Sequence, residues 1–210
     1  MKILGAGPTG TLLALALARL GNSVTLCDPL TVEELPARSR AYALTHSSRR
    51  LLQSLDLWAS LIPHLAPFTR LRLDDQELNR HTYFEVDDLS SQNQLHGAVG
   101  WILDHRPLME LLIDRLQTSP KVLLNLGKFD DHHLDGHDLV VAADGPRSLT
   151  REAWGINTWN HPYQNGCLTA KVLIRGADPL MAYEIFRAEG PLAVLPMGGE
   201  VYQMVWSAPL

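Results

Sequence analysis

Three glycines at a fixed spacing near the start of the chain are the residues that most clearly indicate chemistry. Gly5, Gly7 and Gly10 follow a short apolar segment and precede a helical run at 11–20. With this spacing, the first glycine allows a tight strand-to-helix turn, the second lets the backbone approach a pyrophosphate, and the third lets the helix lie close to the strand. The N–H groups at the helix N-terminus then face the phosphates. The spacing therefore predicts a dinucleotide-binding site.

An acidic residue at the expected distance completes this unit. Asp28 lies 18 positions after Gly10 and follows the apolar run at 23–27. Its carboxylate is therefore expected at the tip of a second strand, where it would accept hydrogen bonds from adenosine ribose hydroxyls. Because this pattern runs through the point at which a secretory signal would be cleaved, we set aside a signal-peptide interpretation of the N-terminus.

A second motif, DLVVAADGPRSLTR at residues 138–151, contains another apolar run that is followed by an acidic residue. Its nearly continuous apolar run is typical of a central parallel strand and leads to the pair Asp144 and Gly145. Ordinary nicotinamide dehydrogenases lack this motif, so the two motifs together indicate a flavin nucleotide. Asp144 could instead only cap the turn that follows it, and the sequence leaves both interpretations open.

The composition is that of an ordinary globular chain with an acidic balance. The 210 residues are 46% hydrophobic and 20% charged, with a formal net charge of −5, which disfavours nucleic acid as the main partner. Cys27 and Cys167 lie far apart in the chain, so we expect buried thiols in a reducing compartment. We expect a cytoplasmic protein, with contact to a membrane surface left open. The acidic and histidine-rich segment 130–137 is interpreted as a solvated turn and not as a metal site.

Hydrophobic periodicity predicts the elements that position these motifs. Helical and strand periods alternate over the first part of the chain, and β-rich segments interrupt and follow that alternation. The predicted elements are helices at 45–58 and 107–116, strands at 121–126 and 138–143, an antiparallel hairpin at 68–86, and further strands from 168 onward.

The resulting fold prediction is an α/β protein with two interleaved domains. A Rossmann-like nucleotide domain is expected at 1–67 and 100–155. A β-rich substrate domain is expected to contribute the hairpin at 68–99 and an incomplete part at 156–210.

The chain resembles the flavin-dependent aromatic hydroxylases, and within them most closely the ubiquinone-biosynthesis hydroxylases. The matching residues are spread over almost the whole chain, and the last of the matching segments is the most specific to the quinone branch. They lie at 5–10, 39–44, 101–108, 138–151 and 182–196.

The resemblance implies a cofactor, a reductant and a reaction. The nucleotide domain would bind FAD, NADH or NADPH would reduce it, and O2 would provide a hydroxyl group for an electron-rich ring. No ordinary side chain activates oxygen in this way, which agrees with the lack of a persuasive catalytic triad or metal motif. The implied substrate is a prenylated phenol or a quinone precursor, and a quinone-biosynthesis complex is a further implied partner.

The resemblance also assigns roles to individual residues. Arg40 is similar to the family arginine near the flavin pyrophosphate, and Arg106 lies in a segment that supplies another flavin contact. The pair Asp144 and Gly145 looks like the family motif that serves flavin and nicotinamide binding. Both arginines could alternatively be solvated surface charges.

No catalytic residue is nominated from the sequence. Tyr183, Phe186 and Trp206 are expected in the sheet core and not as groups that stack on a ring.

One family feature lies beyond the matched region. Family members carry a later Gly-Asp motif and a long helix, so we expect residues 1–210 to correspond to an N-terminal part. We therefore expect this part alone to bind FAD poorly. Two alternatives to the hydroxylase interpretation stay open: a flavin-dependent reductase of prenyl chains, and a flavin-binding or assembly component without turnover.

Overall fold

The computed structural model describes residues 1–128 and 136–210, so most of the segment 130–137, with its metal alternative, lies outside the described residues. The described chain packs as two compact units, which we call the first unit and the second unit. The first unit comprises Met1–Ser39, Leu55–Ser60 and His105–Asn160, and the second comprises Arg40–Ser54, Leu61–Asp104 and His161–Leu210.

Thirteen strands and six α-helices make up the regular structure of the described residues, together with short 3-10 turns. The strands are β1 (Lys2–Leu4), β2 (Val24–Asp28), β3 (Ala41–Leu44), β4 (Leu65–Phe68), β5 (Arg70–Asp75), β6 (Arg80–Glu85), β7 (Gly100–Asp104), β8 (Val122–Leu126), β9 (Val140–Ala142), β10 (Asn165–Leu173), β11 (Met181–Phe186), β12 (Leu192–Pro196) and β13 (Val201–Pro209). The helices are α1 (Pro8–Arg19), α2 (His46–Ser54), α3 (Trp58–Leu61), α4 (Ser91–Gln94), α5 (His105–Gln117) and α6 (Leu149–Ala153).

The first unit is built on a parallel sheet in the order β8-β2-β1-β9. Its central strands are apolar and buried, as expected for a parallel sheet with covered faces. The carboxyl ends of all four strands therefore meet at one edge. This confirms the predicted α/β class with a Rossmann-like parallel sheet.

Two amphipathic helices supply much of the core of the first unit. Helix α5 buries one face at helical spacing, and α1 packs against both α5 and the sheet. The fully or almost fully buried side chains include Ile3, Leu26, Leu108, Met109, Leu112 and Leu116. None of the helices in residues 1–128 and 136–210 is both long and apolar enough to cross a bilayer.

The second unit is rich in β-structure, which confirms the predicted β-rich part of the fold. A six-stranded sheet has the order β10-β13-β12-β11-β5-β6, and a three-stranded sheet has the order β3-β7-β4. Strands β5 and β11 pair in parallel, and the other pairs in these two sheets are antiparallel. Ala66, Phe68, Ile102 and Ala182 form a buried cluster of this unit.

Several local predictions differ from the structure for physical reasons. The helix predicted at 45–58 ends at Ser54, because Asp56 adopts a left-handed φ of 57° that interrupts the helix. Phe186 and Trp206 are 47% and 37% exposed, so the expectation that they lie in the sheet core was wrong. The prediction of buried thiols is right for Cys27 and wrong for Cys167, which is exposed on the outer strand β10.

The compact units divide the chain at other positions than the predicted domains. Residues 40–54, 61–67 and 100–104 lie in the second unit, because β3, β4 and β7 pair with one another. The division into compact units reflects packing alone, so the predicted role of these segments in binding FAD stays a prediction.

The turn between β1 and α1 is held by very close backbone packing. Gly5 has a φ of +104°, and an added Cβ would lie 2.3 Å from the Ala143 carbonyl oxygen. An added Cβ on Gly10 would lie 1.9 Å from the Gly5 carbonyl oxygen. Gly7 differs from both, since no atom lies within 4 Å of its added Cβ. Gly5 and Gly10 are thus required by the fold, whereas the space beside Gly7 is open.

We expect Gly10→Ala to lower the free energy of unfolding by about 3 kcal/mol or more, because the new methyl group meets backbone that cannot move without displacing β1. Urea unfolding of both proteins measures this difference. Gly7→Ala is the matched control and should cost less than about 1 kcal/mol. Equal destabilisation by the two substitutions would contradict the packing described for this turn.

Candidate functional site

A cleft lies at the edge of the first unit where the carboxyl ends of the parallel strands meet. Its volume is about 290 Å³, near the lower limit of ligand pockets. Gly5 follows β1, Asp28 ends β2, and Asp144 follows β9, so three of the predicted site residues line one cleft. The other lining residues are Leu4, Cys27, Pro29, Leu30, Arg38, Lys128, Arg147 and Leu149.

The start of α1 offers backbone donors next to open space. Gly7 is the N-cap residue, with a φ of −67° and a ψ of 179°, and no side chain caps the helix. The first turn contains no acidic residue, and Pro8 lacks an N–H group in any case. Free N–H groups and the positive end of the helix dipole make this a suitable place for an anion.

The Asp28 carboxylate connects the end of β2 to the glycine turn. Its Oδ2 accepts a hydrogen bond of 2.7 Å from the Ala6 N–H group, and its Oδ1 accepts one of 2.8 Å from the Leu30 N–H group. A carboxylate has about four lone-pair positions, so each oxygen retains capacity for a ribose hydroxyl. Asp28 therefore orders the turn and can also hold a ligand.

The Asp144 carboxylate organises the turn before α6. Its Oδ1 accepts a hydrogen bond of 2.5 Å from Ser148 Oγ, and its Oδ2 accepts one of 3.0 Å from the Thr150 N–H group. Ser148 in turn caps α6 by accepting a hydrogen bond of 2.9 Å from the Arg151 N–H group. Burial raises the pKa of the Asp144 carboxyl, but the hydrogen bonds from Ser148 and Thr150 outweigh it and leave the pKa below its ordinary value.

The structure therefore supports the capping interpretation of Asp144 and places the same residue in the cleft wall. Gly145 lies in the turn that follows, with a φ of +88°. The role of this pair in binding flavin and nicotinamide stays a prediction.

The two predicted arginines do not line the cleft of the first unit. Arg106 lies in the first turn of α5, its side chain is 63% exposed, and its Nη1 is 3.8 Å from Glu110 Oε1. Arg40 is an exposed residue of the second unit, directly before β3. Both are solvated in this structure, and their assignment to flavin contacts stays a prediction.

Three cations that line the cleft were missed in the sequence. Arg38, Lys128 and Arg147 are exposed, and none of them forms an ion pair with another described residue. Lys128 and Arg147 come shortly after the ends of β8 and β9. That position was the available signal, because residues that follow parallel strands collect at one edge.

The charges around the cleft favour an anionic ligand. Arg38, Lys128 and Arg147 form no ion pair with a described residue, and these three cations outnumber the two carboxylates of Asp28 and Asp144 that line the same cleft. An apolar wall that includes Leu4, Pro29 and Leu149 lies beside these charges. A nucleotide combines a flat base with phosphates and fits this mixture.

Sequence comparison finds relatives that extend beyond the matched region. No protein-family model matches the chain. The chain is 29% identical to ubiquinone hydroxylase UbiL of Rhodospirillum rubrum, over 98% of this chain and 51% of the relative. It is 27% identical to the 3-demethoxyubiquinol 3-hydroxylase of Escherichia coli, over 98% of this chain and 56% of the relative. The chain thus spans about half the length of these relatives.

Solved structures share the fold at low sequence identity. A 2-methyl-3-hydroxypyridine-5-carboxylic acid oxygenase superposes with a TM-score of 0.78 at 18% identity, covering 99% of this chain and 58% of the other. Klebsiella pneumoniae HpxO, complexed with FAD and uric acid, gives a TM-score of 0.74 at 18% identity, covering 100% of this chain and 57% of the other. Relatives and fold together match the group A flavin monooxygenases, and the resemblance found in the sequence is confirmed.

We expect Asp144→Asn to lower the free energy of unfolding near neutral pH by about 1–2 kcal/mol, because two hydrogen bonds to a charged acceptor are weakened. Since the pKa of Asp144 is lowered in the folded state, its contribution is present above the ordinary carboxyl pKa and is lost as the pH falls through the lowered value. Urea unfolding at neutral and acidic pH should show the difference between the two proteins shrinking in acid.

Asp138→Asn is the matched control for this measurement, since Asp138 is an exposed aspartate of the same unit. It should leave the unfolding free energy nearly unchanged at both pH values. A difference between Asp144→Asn and the parent that does not depend on pH would contradict the proposed charge effect.

Proposed function

We propose that this chain carries the FAD-binding and substrate regions of an FAD-dependent monooxygenase that hydroxylates an aromatic ring. The observation that carries the proposal is the cleft at the carboxyl edge of the parallel sheet, with open space at Gly7 and the Asp28 carboxylate at the tip of β2. The names of the relatives support a quinone precursor, such as a prenylated phenol, as substrate. NADH or NADPH and O2 are proposed as co-substrates from the family resemblance alone.

The residues of the cleft fit FAD better than FMN. Asp28 would hold the hydroxyls of an adenosine ribose, and the first-turn N–H groups of α1 would hold a pyrophosphate. FMN has neither an adenosine half nor a pyrophosphate. The apolar side chains of Leu4, Pro29 and Leu149 offer a surface for an adenine ring.

FAD, when bound, supplies the electron transfer from a nicotinamide nucleotide to O2 that no amino-acid side chain supplies. In the overall balance, one oxygen atom of O2 enters the ring as a hydroxyl group, and the other leaves as water with two electrons from the nicotinamide. The side chains of the protein would bind the cofactor and orient it. Asp28 would keep the glycine turn in place, and Arg38, Lys128 and Arg147 would balance the phosphate charge.

The place of action is part of the same proposal. We propose a cytoplasmic protein that contacts the membrane surface, since a prenylated substrate resides in the bilayer. Association with other enzymes of quinone biosynthesis would deliver such a substrate without release into water. Flotation of the protein with vesicles that contain a prenylated phenol tests the membrane contact.

We expect the full-length protein, in contrast to residues 1–210 alone, to oxidise NADH or NADPH faster when a prenylated phenol is present and to form a product that is heavier by one oxygen atom. Absorbance at the nicotinamide band and product mass measure the two quantities. A product heavier by two hydrogens would instead identify a prenyl reductase. Bound FAD without stimulated oxidation, in both this chain and a longer native form, would identify a non-catalytic flavin protein.

We expect Asp28→Ala to weaken FAD binding by about 1.5–3 kcal/mol, roughly 10- to 150-fold in Kd, because a charged acceptor for the ribose is lost. Titration of flavin fluorescence measures the affinity. Asp138→Ala is the control and should bind FAD like the parent, since Asp138 is exposed and does not line the cleft. Equal FAD affinity of Asp28→Ala and the parent would remove Asp28 from the site.

A further inference from the structure

A second group of polar side chains lies in the second unit, where α2 begins. His46 and Arg49 are one helical turn apart on α2 and are only 6% and 7% exposed. The ring centroid of His46 lies 5.9 Å from that of His96 and 5.0 Å from that of Trp101. Two histidines and a buried arginine therefore share one small region that the proposed function does not use.

The polar atoms of this region lack partners of opposite charge. His46 Nε2 lies 2.9 Å from the Ala98 carbonyl oxygen and donates to it, and the other ring nitrogen, Nδ1, is buried without a hydrogen-bond partner. Arg49 Nε is also buried without a partner, and Arg49 forms no ion pair with any described residue. A buried guanidinium without a counter-charge is costly, so the region is suited to receive an anion.

Helix α2 adds to the positive potential, and strands β3 and β7 supply no unpaired acid, whereas the turn before α4 contains Asp87 and Asp88. Helix α2 contributes Arg50 and its own N-terminal dipole. Strand β3 contributes no charged side chain. Strand β7 contributes Trp101, and its acidic residue, Asp104, is paired with Lys171 at 2.5 Å. This concentration of positive charge contrasts with the net charge of −5 for the whole chain.

We propose that Arg49 and His96, with His46 behind them, form a binding site for a phosphate group. A guanidinium donates two parallel hydrogen bonds to a phosphate, and the exposed ring of His96 can add a third. A phosphate has enough acceptor oxygens for all these donors, whereas a halide does not. The source is either free phosphate or the phosphate of a nucleotide such as NADPH, and only the nucleotide source rests on the proposed function.

Occupation of this site has a signature in the titration of His96. Partial desolvation by neighbouring side chains, followed by the charges of Arg49 and His46, lowers the pKa of His96. A bound phosphate would oppose the effect of these positive charges on the pKa, because its negative charge favours the protonated ring of His96. The pKa of His96 should therefore rise on binding, and phosphate should bind more tightly as the pH falls through that pKa.

The experiment follows the His96 ring signal by NMR in a pH titration of the full chain, with His96→Gln used to assign the signal. The parent is titrated alone, with about 10 mM inorganic phosphate, well above a Kd of about 1 mM, and with sodium chloride at the same ionic strength. Phosphate should raise the pKa of His96 more than chloride does. Equal effects of the two salts would reduce the observation to charge screening and overturn the proposal.

Arg49→Met separates the site from a structural role, since methionine keeps the apolar stem and removes the charge. Without phosphate, the pKa of His96 should rise in this variant, because a repelling charge is lost. Phosphate should then have at least about tenfold lower affinity. Arg80→Gln, at an exposed arginine of the same unit, should behave like the parent. The same loss of phosphate affinity in both variants would overturn the proposal.

NADH and NADPH as further ligands identify the source of the phosphate. Tighter binding of NADPH than of inorganic phosphate, lost in Arg49→Met, would support the nucleotide phosphate. A response to inorganic phosphate alone would support free phosphate. Neither outcome depends on FAD binding. If the phosphate site does not exist, the pKa of His96 will not respond to phosphate, whereas a failure of the monooxygenase proposal would appear in FAD binding and product formation.

Discussion

The contact between Gly10 and the Gly5 carbonyl is the constraint on which the geometry of the first unit depends. Only a hydrogen atom fits between these backbones, and this fixes the start of α1 at the carboxyl edge of the sheet. Strand β1 lies between β2 and β9. The carboxyl ends of β2 and β9 therefore lie at the same edge of the sheet as that of β1. For this reason Asp28 and Asp144 line one cleft although they are far apart in the chain.

Local patterns in the sequence predict most of the first unit because its strands are parallel and buried. Such strands are short apolar runs, and the glycine spacing marks the turn that connects the first of them to a helix. Helix α5 was predicted at 107–116 and observed at His105–Gln117, since its apolar residues recur at helical spacing. The same reasoning placed Asp28 and Asp144 in the candidate site, because each was expected at the end of a strand.

Features that depend on contacts between distant segments could not be predicted in this way. The parallel pairing of β5 with β11 and the separate β3-β7-β4 sheet have no local marker, since strand partners are chosen by the packing of the whole unit. Trp206 was expected in a sheet core and instead lies beneath the Arg187 guanidinium, 5.0 Å from the ring centroid. Arg38, Lys128 and Arg147 look like ordinary surface cations in the sequence, and only the topology brings them to one cleft.

The hydrogen bonds of Asp28 and Asp144 show how a site of this kind can be ready before its ligand arrives. Each carboxylate is held by two donors of the chain itself, so neither side chain has to lose much rotational freedom on binding. Neither carboxylate forms an ion pair with Arg38, Lys128 or Arg147, which line the same cleft. The cleft therefore combines ordered acceptors for hydroxyl groups with cations that are still available for phosphates, and that combination favours a dinucleotide over a neutral ligand of equal size.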